Sequence, residues 1–255
     1  MVKRRVKKLE VHDLTIRYGD KVALHAASFD VYENEIFGII GPAGSGKTSF
    51  LRALNRMNEM TPGMVVTGSI KFDGVDVNDW RDVYALRSRI GVVFPLPVGL
   101  PLSIYENVAL APRLSGIKSK AELDEIVERC LTRAALFDEV KDRLNSLGSL
   151  LSGGQQQRLT IARALSQAPQ ILLLDEFSIA VDPVTTMRIE DVLKELKKEV
   201  TIILVTNLVA QARRLATRTA FFLQGELVEV GDTEDLFKRK VEDNRTTEYL
   251  EGRFG

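Results

Sequence analysis

Three short runs of the chain are almost wholly apolar: Ile36-Phe37-Gly38-Ile39-Ile40, Ile171-Leu172-Leu173-Leu174 and Ile202-Ile203-Leu204-Val205. A run this short with no polar face suits a strand buried on both sides of a parallel sheet. Gly91-Val92-Val93-Phe94 reads as another strand, and helical spacing such as Val192, Leu193 and Leu196 falls between the strands. Strands alternating with helices predict an α/β core with a parallel sheet. The opening stretch, Lys8 to Val31, alternates instead, with Val11, Leu14, Ile16, Val22 and Phe29 apolar and a turn at Tyr18 to Asp20. It predicts short strands forming a β subdomain. Phe221-Phe222-Leu223, Gln224-Gly225 and Leu227-Val228 predict a closing hairpin. From Lys118 to Arg143 the apolar positions Leu123, Ile126, Val127, Cys130, Leu131 and Ala134 recur at spacings of three and four. This predicts an amphipathic helix inside a helical insert spanning residues 95–158. The expected division is thus 1–94 and 159–232 for the α/β core and β subdomain, 95–158 for the helical subdomain, and 233–255 for a C-terminal tail.

Composition narrows the function. Lys+Arg and Asp+Glu are both 35, so the chain lacks the overall basic field of a nucleic-acid binder. No apolar run approaches the ~18 residues needed to cross a bilayer, so a membrane role is expected to go through a partner. Met1 to Lys8 is rich in Lys and Arg, but no apolar signal-peptide core follows it. Cys130 is the only cysteine, which rules out an internal disulfide and fits a reducing compartment. It reads, like Trp80 and the methionines, as a packing residue.

Chemistry enters at Gly41-Pro42-Ala43-Gly44-Ser45-Gly46-Lys47-Thr48, which fits G-x-x-x-x-G-K-[ST]. The run follows a predicted strand and opens a predicted helix that begins with Ser49-Phe50-Leu51. Small residues let backbone N–H groups curl around phosphate oxygens, and the helix N-terminus adds positive potential. Lys47 would supply a point charge to the β- and γ-phosphates, and Thr48 a hydroxyl to Mg²⁺. Far along the chain, the apolar run at 171–174 ends in Asp175-Glu176. Carboxylates at the end of a buried strand need a cation or water. Asp175 is placed to hold Mg²⁺, and Glu176 to polarise an attacking water as general base.

Leu151-Ser152-Gly153-Gly154-Gln155, followed by Gln156-Gln157-Arg158, resembles the family motif of the ABC ATPases. Ser152 can cap the helix that follows, and the glycines leave its N–H groups open to an anion. The resemblance covers nearly the whole chain and implies a P-loop NTPase (RecA-like) α/β fold with an N-terminal antiparallel β subdomain and an inserted helical subdomain. It implies ATP and Mg²⁺ as cofactors, with Lys47 and Glu176 catalytic and Thr48 and Asp175 holding the metal. Tyr18 resembles the aromatic that stacks on adenine. Residues 41–49 would contact the phosphates, and Ser152, Gly153, Gly154 and Gln155 would close over the γ-phosphate bound by a second subunit. Asp182-Pro183 resembles the loop that links the two sites of a head-to-tail homodimer or heterodimer. Integral membrane permeases are the implied partners, and the cytoplasmic face of the membrane the implied location.

Leu54 to Asn58, Pro101 to Val108 and Glu251-Gly252-Arg253-Phe254-Gly255 resemble the subunit that powers bacterial phosphate import. The chain departs from the family pattern in three places. Pro95 stands where a Gln is expected after the strand at 91–94, and Asn207 where a His is expected after the strand at 202–205. Phe177 and Ile179 replace Pro and Ser near the dimer-linking loop. Two expectations follow: a working ATPase that tolerates the changes, or a slow, regulatory or partner-dependent one. ABC proteins that act on DNA or ribosomes usually carry long coiled-coil insertions or two fused ATP domains. This chain has one such domain and no sustained heptads.

Overall fold

A computed structural model describes residues 5–238 and 241–253. The expectations that touch Met1 to Arg4, Arg239, Lys240, Phe254 and Gly255 lie outside the described residues.

Among the described residues ten strands form one curled sheet: β1 (Lys7–Tyr18), β2 (Lys21–Tyr32), β3 (Ile36–Ile40), β4 (Met64–Phe72), β5 (Val75–Asp76), β6 (Ile90–Val93), β7 (Ile171–Asp175), β8 (Thr201–Val205), β9 (Arg218–Leu223) and β10 (Glu226–Asp232). Their order is β5-β4-β1-β2-β10-β9-β3-β8-β7-β6. From β9 to β6 every neighbour is parallel, whereas β1, β2, β4 and β5 pair antiparallel. The expected parallel core and antiparallel β subdomain are therefore halves of one sheet, joined where β10 meets β2.

The apolar runs explain the central strands. Every residue of β3, β7 and β8 is buried. Ile36, Leu172, Leu174, Ile202 and Leu204 face one core, while Phe37, Ile39, Ile171, Leu173, Ile203 and Val205 face another. Alternate side chains thus bury against different layers, as the two-residue strand period requires. The first core is covered by helices α3 (Ile104–Leu114), α4 (Lys120–Arg133), α6 (Gly153–Leu165) and α7 (Pro183–Leu196). The second is covered by α1 (Lys47–Leu54), α2 (Val83–Arg89) and the β subdomain. Short helices α5 (Phe137–Val140), α8 (Val209–Leu215), α9 (Thr233–Phe237) and α10 (Asn244–Leu250) are the remaining α-helices of the described residues.

Several local expectations change. The opening strands are not short. β1 and β2 run for 12 residues each, because bulges absorb the breaks in alternation. Asp13 and Ala26 take left-handed backbone angles there, with φ of 47° and 43°. The expected helix over 118–143 ends at Arg133. The apolar repeat stops at Ala134, Ala135 turns left-handed with φ 50°, and the Arg158 guanidinium donates to the Ala135 carbonyl. The chain restarts as the one-turn α5. α6 runs unbroken through the boundary expected at residue 158. The hairpin at 218–232 turns on Gln224 and Gly225, both with positive φ, the geometry of a two-residue type I′ turn. Among the described residues no helix is long and apolar enough to cross a membrane.

Candidate functional site

The site is built where β3 stops and α1 starts. Residues 41–46 make the turn, and Gly46 ends it with φ 97°. A side chain there would lie 2.2 Å from the Ala23 carbonyl oxygen, so only glycine lets the loop press against β2. Lys47, 5% exposed, donates to the carbonyls of Gly41 and Pro42 at 2.8 Å each. Burial pulls its pKa below the usual lysine value, and the carboxylates of Glu176 and Asp175 oppose that pull. Ser45 is 1% exposed and its hydroxyl has no partner among the described residues. An anion seated on this loop would satisfy that hydrogen bond.

Thr48 opens α1 and its hydroxyl donates to Asp175, 3.0 Å from Oδ2 and 3.3 Å from Oδ1. Asp175 closes β7 and is buried. Burial raises its pKa above the usual carboxylate value. The Thr48 hydroxyl and Lys47 oppose the rise, and the Glu176 charge adds to it. A buried carboxylate beside a hydroxyl is an oxygen-only donor pair. It fits Mg²⁺, a hard cation that is held by one or two protein oxygens and keeps water or phosphate as its other ligands. Glu176 follows with φ 42°, a left-handed angle at a non-glycine residue, and its N–H donates to the Val205 carbonyl at 2.9 Å. Such angles cost about 1–3 kcal/mol and cluster at functional sites.

One cleft of about 470 Å³ gathers Tyr18, Ala43, Gly44, Gly46, Lys47, Thr48, Ser49, Asp175 and Glu176. Tyr18 ends β1, and its hydroxyl sits 3.1 Å from Ser49 Oγ. Pro95 is also in the cleft wall, near Asp175, at the place where an amide was expected. Asn207 is exposed on the turn between β8 and α8 and does not line the cleft. Phe177 is wholly buried among the core residues around α6 and α7, while Ile179 is 63% exposed.

Ser152 to Gln155 also lie outside this cleft, at the N-terminus of α6. Ser152 Oγ accepts from Gln155 N–H at 3.4 Å, and Gln155 Oε1 accepts from Ser152 N–H at 3.2 Å, a reciprocal capping box. Gln155 Nε2 donates to Glu139 at 2.8 Å. The Glu139 carboxylate takes two further bonds from the buried Arg158, at 2.7 and 3.0 Å, which hold its pKa low. Gly154 packs so closely on α7 that an added Cβ would lie 2.4 Å from Thr185 Cγ2. Ser152 and Gly153 remain exposed. The helix start is thus fixed in place while its open N–H end faces solvent.

Sequence reasoning missed two sets of residues. Tyr249 on α10 accepts a hydrogen bond from the Gly41 backbone, and its ring stacks on Phe221 with centroids 4.7 Å apart. In the sequence it is one aromatic in a charged tail. Asn107, Gln156 and Arg163 pin the loop that follows Pro95. Gln156 Oε1 accepts from Gly99 N–H at 3.2 Å. Asn107 Oδ1 accepts from Leu100 N–H at 3.0 Å, and Arg163 donates to both the Val98 carbonyl and Asn107 at 3.1 Å. A buried Asn one turn after a Ser cap was the only available signal.

A nucleotide-sized cleft with a glycine loop, a lysine, a hydroxyl–carboxylate pair and an adjacent glutamate, at the ends of parallel strands, defines a P-loop ATPase. The family model described as ABC transporter matches residues 24–178, and the chain belongs to that family. Its fold is that of the ATP-binding subunit. It is similar to cbiO1 from Clostridium perfringens, part of the ABC transporter complex cbiONQ, at 26% identity, covering 97% of each chain with a TM-score of 0.80. The ATP-binding cassette MJ0796, solved as a dimer in a post-hydrolysis state with ADP and Pi, is 30% identical over 88% of this chain and 98% of its own, with a TM-score of 0.76. A bacterial Atm1-family ABC exporter with ATP bound is 26% identical over the full chain, with a TM-score of 0.80. The chain spans 43% of that exporter's length.

Proposed function

We propose that this subunit hydrolyses Mg²⁺-ATP to energise import of a small solute, most specifically inorganic phosphate, through integral membrane permeases. The observation that carries the ATPase reading is the Thr48–Asp175 pair at the mouth of the glycine loop with Glu176 beside it. Tyr18 stacks on the adenine, and residues 41–49 wrap the phosphates. Lys47 exchanges its loop carbonyls for β- and γ-phosphate oxygens. Thr48 and Asp175 would hold Mg²⁺, which when bound would supply positive charge to the phosphates. Glu176 orients the attacking water and takes its proton.

Ser152 to Gln155 serve the site of a second ATP-binding subunit. Their exposed, firmly capped helix start suits a γ-phosphate presented from outside the chain. The dimeric MJ0796 and the membership of cbiO1 in a multi-component complex support this arrangement. In it the subunit sits peripherally at the cytoplasmic face, and the helical subdomain receives the permease. The loop after Pro95 exposes Leu96 and Val98, apolar surface suited to that contact. The phosphate assignment rests on the stretches at 54–58, 101–108 and 251–255. Radiolabelled phosphate uptake by vesicles containing the chain and its co-purifying permeases tests it. Uptake of another solute alone would refute it.

One observation favours a slower motor. Pro95 occupies the cleft wall and has no amide to offer a metal or a water. On this second reading, Pro95→Gln with Asn207→His raises ATP turnover well above wild type. Hydrolysis by the purified chain, beside Glu176→Gln, tests the first reading: turnover should be Mg²⁺-dependent and vanish in the variant. ATP binding without hydrolysis would instead mark a regulatory subunit.

A further inference from the structure

Glu176 and Asn207 lie on separate segments, and one buried side chain joins the segments behind them. Gln211 on α8 has no exposed surface. Its Nε2 donates to Ser178 Oγ at 3.2 Å and to Glu190 Oε1 at 3.3 Å. Ser178 is the second residue after Glu176 and is 9% exposed. Glu190 belongs to α7, is 2% exposed, and receives Arg214 through Nε at 2.8 Å and Nη2 at 2.6 Å. Gln211 N–H donates to the Leu208 carbonyl, next to Asn207, at 2.9 Å. Three stretches of chain therefore meet at one amide: the segment leaving β7 with Glu176, the helix behind Asp182, and the turn carrying Asn207.

The chemistry at the junction is specific. A carboxylate only accepts hydrogen bonds, so Glu190 fixes which end of the Gln211 amide faces it. The two protons of one nitrogen then reach Glu190 and Ser178. Glutamate could not donate to Glu190, and an apolar residue could donate to neither. Ordinary core packing does not call for such a bridge. Gln211 Oε1 is buried without a partner among the described residues, a cost that packing alone does not justify.

We propose that Gln211 is a positioning residue for hydrolysis, holding the Glu176 segment in register with the Asn207 turn through Ser178 and Glu190. The inference rests on the reading of Glu176 as general base. Its action falls on the chemical step, because neither Gln211 nor Ser178 lines the nucleotide cleft.

The test is steady-state ATP hydrolysis by wild type, Glu176→Gln, Gln211→Leu, Ser178→Ala and the Gln211→Leu/Ser178→Ala double variant, in whichever assembly hydrolyses ATP. Gln211→Leu is expected to lower kcat about tenfold while KM for ATP stays within about twofold. Ser178→Ala should lower kcat in the same way, and the double variant should be no worse than Gln211→Leu, since both remove one link. Should Gln211→Leu fail to fold, Ser178→Ala carries the test alone, because it leaves the amide on Glu190. An unchanged kcat in a folded variant overturns the inference, as does a rise in KM that matches the fall in kcat. Wild-type turnover that survives in Glu176→Gln sinks the general-base reading instead. No turnover in any preparation sinks both.

Discussion

Asp175 combines a burial that opposes stability with the metal-holding role proposed for it. Burial raises its carboxyl pKa above the ordinary 3.8, so the charged form is the costly one in the folded chain. For an acid shifted this way the folded state holds its proton longer than the unfolded state. Stability from this group therefore falls as pH rises from about 3.8 through the raised folded value, and the penalty is complete above it. Asp175→Asn removes the charge and keeps an acceptor for Thr48. The variant should melt no lower than wild type near pH 7, and higher relative to it than at pH 4. It should also lack the Mg²⁺-dependent gain in melting temperature that the proposed function predicts for wild type with ATP. Thermal scans at both pH values, with and without Mg²⁺-ATP, check all three outcomes. Tyr249 makes the opposite case, a residue outside the cleft that supports it. Tyr249→Phe keeps the stack on Phe221 but leaves the Gly41 N–H without its acceptor. A lost hydrogen bond of about 1 kcal/mol predicts a several-fold weaker affinity for ATP, read by titration with a fluorescent analogue. Unchanged affinity would reduce Tyr249 to packing.

Among the elements, α6 depends on a brace that its own sequence does not announce. Arg158 is buried to 4% side-chain exposure and pairs with Glu139, which is one-third exposed, on the short α5. Glu139→Ala strips the partner from a buried cation and frees Gln155 as well. It should cost about 2 kcal/mol, a fall in melting temperature of roughly 5 °C for a chain of this size. Glu139→Gln should recover part of that loss. Equal melting of Glu139→Ala and wild type would show that the pair is only incidental. What could be read from the sequence follows the same division. β3 and α1 were legible because an apolar run, a glycine turn and a helical stretch each obey local rules. β7 and Asp175-Glu176 were legible for the same reason. The end of α4 was not, because Arg133 to Arg143 remains polar enough to continue a helix, and what stops it is Ala135 held by a distant Arg158. β4 was missed because Gly68, at φ 91° against the bulge at Asp13, interrupts its alternation. Tyr249, Gln211 and Asn107 were silent because their meaning lies in contacts between elements far apart in the chain.

At the scale of the whole molecule, the two anion-ready surfaces of this chain do not meet. The glycine loop lines one cleft, and the start of α6 faces solvent outside it. A lone subunit therefore cannot bring Ser152 to Gln155 over its own cleft, whereas on the proposed head-to-tail arrangement two subunits would do so twice. Each site would join one chain's loop to its partner's α6. Lys47→Ala disables the loop and leaves α6 intact. Gly153→Asp places a negative charge where the γ-phosphate would arrive, and an added Cβ there meets nothing closer than the Ala180 carbonyl oxygen at 3.4 Å, so the fold should survive. Homodimers of either variant have no complete site and should be inactive. In a mixed dimer, the intact loop of the Gly153→Asp chain meets the intact α6 of the Lys47→Ala chain, restoring one site of two. Random pairing of equal amounts makes half the dimers mixed, so turnover should return to about a quarter of wild type. The same logic makes wild-type hydrolysis per chain rise with protein concentration at low concentration. An inactive mixture, with both variants folded and each able to dimerise, would mean that one site cannot work alone or that the sites are not shared. Hydrolysis per chain that is independent of concentration down to the lowest measurable level would favour sites not shared between subunits.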